Sequence, residues 1–168
     1  AYTFTGGHTL SIASKLNVTG GATANINTAI GGAGLNAVIG SGSTVNLMRD
    51  TTVSALSNSG LLAADNAKIS FANAVANGGV VQAKNVQLAA GSANSFSKLT
   101  VTDTLSNGSK LTVGTGSSIN EFSGGTLAIQ GAGASVAVQE GSIDSLEIAA
   151  GQSLTGGAQG ITITSTTG

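Results

Sequence analysis

The sequence predicts an all-β chain wound as a single-domain β-solenoid over residues 1–168. A right-handed parallel β-helix of about seven or eight irregular coils is the specific form. Three observations carry this expectation. A short phrase recurs: a glycine or asparagine, a small residue, a polar residue, then apolar, small or polar, apolar. Within each phrase the apolar side chains stand two apart, so they fall on one face of a strand. The core such strands can build is narrow, because aromatics are only 3% of the chain and Val, Ile, Leu and Ala supply the apolar groups.

A strand this short cannot bury its apolar face alone and needs copies stacked beside it. The phrase is plainest between Asn107 and Val138: Gly-Ser-Lys110-Leu111-Thr112-Val113, Gly-Gly-Thr126-Leu127-Ala128-Ile129, Gly-Ala-Ser135-Val136-Ala137-Val138. The glycine ahead of each strand supplies the positive φ of a sharp turn.

Taken from the N-terminus, Tyr2 and Phe4 alternate with threonines, and Gly7-His8-Thr9-Leu10-Ser11-Ile12 gives the first phrase. Leu16 and Val18 form a short strand, and Gly20-Gly21 turns into Ala24-Asn25-Ile26. Gly31-Gly32-Ala33-Gly34 is a turn leading into Leu35 through Val38. Gly42 to Leu47 restates the phrase; Asn66 to Phe71 restates it with asparagine, which also tolerates left-handed backbone, in the glycine slot. Later strands fall at Val86/Leu88, Leu99/Val101, Leu111/Val113, Leu127/Ile129, Val136/Val138, Leu146/Ile148 and Ile161/Ile163. The phrase starts are unevenly spaced, as expected if each coil holds two or three strands joined by turns of variable length. Ala-rich segments at 61–66 and 72–76 also fit a short helix. Asn66 and Asn77-Gly78-Gly79 interrupt it, and a strand accounts better for Ile69 and Phe71. An antiparallel β-sandwich is the alternative fold, but strands this short and poor in aromatics do not fill a wide core.

Charged residues are 8% of the chain against about 25% in an ordinary soluble domain. The net charge is −1 and the six Lys and Arg are scattered singly, which argues against nucleic acid and anionic membrane as partners. No apolar run approaches the ~20 residues that span a bilayer, so no membrane insertion is expected. The absence of cysteine removes disulfides and thiolate metal sites. The start at Ala1 fits a processed chain or an excised fragment.

No catalytic, cofactor or metal motif stands out. Gly31 to Val38 approaches a calcium β-roll nonapeptide, but it occurs once, places Asn36 where Asp belongs, and has no carboxylate close in sequence. His8 has no second histidine or cysteine with which to build a zinc site or a triad. Glu140, Asp144 and Glu147 are the one acidic cluster, and paired carboxylates can cleave a glycosidic bond; no aromatic platform for a sugar lies nearby. Outward threonines at 100, 112 and 162 suggest a hydroxyl rank of the ice-binding kind. Asn46, Ser70, Gln87, Ala128, Ala137 and Glu147 break it at the equivalent slot.

The phrases GGHTLSI, GSTVNL, GSKLTV, GGTLAI and LEIAAGQSL resemble the coils of autotransporter passenger domains and related filamentous surface adhesins. That resemblance covers most of the chain and implies a secreted right-handed β-helix at the bacterial cell surface, with roles in adhesion, biofilm or surface construction. The function expected is therefore non-enzymatic and extracellular: a structural subunit whose partner is itself. The alternatives are an adhesin module taking a cell-surface or glycan ligand and, behind it, a carbohydrate-active enzyme or an ice-binding protein. No cofactor is expected.

The assembly residues expected are Tyr2, Phe4, Ile161 and Ile163. A solenoid ends in two open strand edges, which natural solenoids cover with polar or helical caps. Here the terminal segments, Tyr2-Thr3-Phe4-Thr5 and Ile161-Thr162-Ile163-Thr164, are β-prone, uncharged and free of proline.

Overall fold

The computed structural model describes residues 2–7, 9–12 and 14–168. The strands are β1 (Tyr2–Thr5), β2 (Leu16–Val18), β3 (Thr23–Asn27), β4 (Leu35–Ile39) and β5 (Thr44–Leu47). They continue with β6 (Thr51–Asn58), β7 (Leu61–Phe71), β8 (Ala76–Leu88), β9 (Ala93–Asn107) and β10 (Lys110–Val113). The last four are β11 (Ser118–Ser123), β12 (Thr126–Ile129), β13 (Ser135–Glu147) and β14 (Ser153–Thr167). No helix occurs among the described residues, and the segment that also fitted a helix at 61–66 belongs to β7.

Every strand pairing is parallel. That excludes the antiparallel sandwich and gives a β-solenoid of about nine turns. One outward-facing column can be followed from end to end: Thr3, Asn25, Asn46, Ala63, Gln82, Thr100, Ser118, Ala137, Thr155. Its members lie 21–22 residues apart at the first two steps and 17–19 apart thereafter, read from the same pairings. The coils are thus shorter and more numerous than the seven or eight that the phrase spacing implied. The phrase misleads because it falls on different faces. Val45 and Val136 lie on the face of this column, Ile69 lies on a second, and Leu111 and Leu127 lie on a third.

Each turn therefore carries three faces, and the longer strands bend across corners to serve more than one. β9, for example, pairs with β10 through Ala93–Phe96 and with β11 through Thr100–Ser106. Strand alternation sends every second residue inward. The inward columns include Ala64, Ala83, Val101, Ile119 and Val138 on the first face, and Ile69, Val86, Leu105 and Phe122 on the second. Phe96, Val113 and Ile129 stack on the third. All of these are buried and belong to one continuous core.

The corners are held by polar groups turned back onto the backbone. Asn58, Asn77, Asn94 and Asn107 are all buried. Asn58 Nδ2 donates to the Val80 carbonyl at 3.0 Å while its Oδ1 accepts from the Gly60 N–H at 2.9 Å. Asn107 repeats the arrangement, donating to Thr126 O at 2.9 Å and accepting from Ser109 N at 3.2 Å. These amides satisfy main-chain groups that a corner takes out of the strand ladder. Gly141 marks another corner: its φ is +118°, and a Cβ there would run into the Phe122 backbone of the turn below.

Candidate functional site

The two ends of the stack are its distinctive surfaces. At the N-terminal end β1 pairs with β3 on one side. Among the described residues no strand lies against its other edge. At the C-terminal end β14 pairs with β13 and likewise has an open outer edge. Each edge presents unpaired main-chain donors and acceptors, the groups on which another strand can add.

Side chains follow from the same alternation. Tyr2 and Phe4 pair with Ala24 and Ile26, both buried, so they occupy inward positions over the core. Among the described residues no rung covers them, and Tyr2 is 68% exposed and Phe4 only partly buried. They rim a hollow lined also by Leu16, Val18, Ala22 and Ala24, the open mouth of the core. At the other end Ile161 and Ile163 pair with Gly141 and Ile143, again inward positions, and Ile163 is 37% exposed. All four residues singled out in the sequence therefore sit on inward columns of the terminal rungs, two at each end. Neither β1 nor β14 contains a charged side chain; Lys15, just before β2, is the charge nearest the N-terminal mouth in sequence.

Two end residues escaped the sequence reading. Leu154 and Gly156 extend the first-face inward columns above Val136 and Val138. Leu154 stands in the sequence without a second apolar residue two positions on, so the phrase does not flag it.

The lateral candidates separate rather than converge. Asp144 Oδ2 accepts from the Gly125 N–H at 2.7 Å, and Glu147 pairs with Lys110 Nζ at 2.5 Å. Glu140 stacks in register on Glu121, whose carboxylate takes the Thr104 hydroxyl at 3.0 Å. The acidic cluster of the sequence is thus divided among three neighbourhoods. Beside the Gly32–Gly34 turn the coil does bring a carboxylate, Asp50, which no sequence proximity announced. Its Oδ1 accepts from the Lys68 N–H at 2.8 Å, and one carboxylate falls far short of the six to eight oxygens calcium takes. No group of three or more potential metal ligands occurs among the described residues. His8 lies outside the described residues.

The outward threonines lie on different faces: Thr100 on the first, Thr162 on the second and Thr112 on the third. The second face does carry a column of Thr52, Ser70, Gln87, Ser106, Ser123, Ser142 and Thr162, with Gln87 interrupting the hydroxyls. On the first face Asn46 Nδ2 donates to Asn25 Oδ1 at 2.7 Å, so part of that column is bonded within itself.

No family model matches this chain, and neither a curated protein nor a solved structure does.

Proposed function

We propose that this chain is a non-enzymatic, extracellular structural protein, a solenoid subunit that assembles end to end into surface or matrix filaments. The observation that carries the reading is the pair of open, uncharged strand edges at opposite ends of one stack. Two different surfaces at the ends of a rod make a head-to-tail contact, and such contacts grow filaments when they do not close into a ring. The low charge, 8% of residues with a net −1, removes the repulsion that would hold subunits apart. The resemblance of the coil phrases to bacterial surface adhesins supports the setting.

Electron microscopy and sedimentation of the purified protein test this. The wild type forms filaments, whereas Phe4→Lys combined with Ile163→Lys keeps the β circular dichroism and stays monomeric. A wild type that is monomeric at high concentration overturns the reading.

A second reading, an adhesin module, draws on a flank groove lined by Met48, Asp65 and Asn66, where Met48 is 51% exposed. Loss of cell binding in Met48→Ala with filaments intact would favour it.

A further inference from the structure

Resting on the assembly reading above, we infer that the joint between subunits continues the internal ladder without a shift: Thr155 of one copy lies beside Thr3 of the next. Leu154 then pairs with Tyr2, and Gly156 with Phe4.

Side-chain parity supports this register. The outward column from Thr3 to Thr155 passes through eight internal steps without changing face. A slip of one residue at the joint would turn Tyr2 and Phe4 out to solvent and leave both core mouths unfilled. Only even registers keep the apolar mouths facing each other.

Size decides among the even registers. Gly156 has no side chain, and Ile161 packs beside it, its Cδ1 3.4 Å from where a Cβ would stand. Gly156 itself is exposed and Ile161 only partly buried, so the Phe4 ring, set opposite Gly156, packs on the bare glycine backbone and against Ile161 with no side chain at 156 to oppose it. A two-residue slip would set Phe4 against Leu154 or Tyr2 against Gly156, so large groups would oppose one another or the space would go unfilled. Narrow cores tolerate neither overpacking nor voids.

The chain has no cysteine, so a disulfide can report the joint against no background. Neighbouring parallel strands lie about 4.8 Å apart, within the Cα separation of about 4.4–6.8 Å that a disulfide accepts. Within one chain the two threonines are eight steps apart, about 38 Å at that spacing, so Thr3→Cys with Thr155→Cys can close only between copies. Both positions are exposed, and melting checks that each variant folds. Mild oxidation of this pair should give a ladder of covalent multimers. Thr3→Cys with Ser153→Cys, the two-residue slip, should give none.

Filaments in which the Ser153 pair cross-links and the Thr155 pair does not would overturn the register while leaving end-to-end assembly standing. Dimers from Thr3→Cys alone would mark like ends meeting and overturn it as well. Monomers without filaments would overturn the register and the assembly reading together.

Discussion

The rings of Phe71 and Phe96 meet inside the stack with centroids 5.2 Å apart and planes inclined by 58°. Phe71 closes the second face of one turn and Phe96 lies on the third face, so the contact crosses a corner and ties two faces through their side chains. Both rings are buried. The tilt puts the positive edge of one ring toward the negative face of the other. Phe96→Ala should cost about 3–5 kcal/mol, seen as a lower midpoint in denaturant. A loss below about 1 kcal/mol would mean that the corner does not depend on this pair.

Alternation makes neighbouring residues unequal. Val113 is fully buried and Thr112 is half-exposed on the same strand. Val113→Asp places an unpaired charge in the core, where no water replaces its solvation. It should destabilise by about 4 kcal/mol or more, against about 0.5 kcal/mol for Thr112→Asp. Equal melting temperatures for the two variants would refute the assignment of faces.

Glycines differ as sharply. A Cβ on Gly141 meets the Phe122 main chain, whereas one on Gly91 meets nothing within 4 Å, although both have positive φ. Gly91→Ala should cost about 1 kcal/mol from backbone strain alone. Gly141→Ala adds a backbone clash that only a shift of neighbouring rungs relieves, so it should lower the melting temperature further. Identical losses would mean that the corner at Gly141 is loose enough to absorb a methyl group.

Melting with and without EDTA should coincide, and no hydrolysis of polysaccharides should be detected. Asp50, Asp144 and Glu147 each already hold a partner, and no cluster among the described residues offers a cage. A chelator-induced drop in the melting temperature would point back to the Gly32–Gly34 turn and Asp50.

Much of the fold was legible because period-2 alternation is local. Leu111 and Val113 read as inward in one phrase and Leu127 and Ile129 in another, and the structure stacks them directly. The number of coils was not legible, because the phrase does not say which face it occupies. Buried Asn58, Asn77 and Asn107 were hidden for a related reason: asparagine one or two residues before glycine reads as an exposed turn, and only stacking covers it. The end residues Tyr2, Phe4, Ile161 and Ile163 could be named from their alternation and position. Leu154 and Gly156 needed the register.

The subunit repeat along the axis of a filament, measured by electron cryo-microscopy, tests the central claim most directly. A continued ladder predicts a repeat of about 43 Å, nine rungs at about 4.8 Å each, with strands perpendicular to the axis and no break in spacing at the joint. A clearly longer repeat, or filaments built by flank-to-flank packing with both ends exposed, would contradict it.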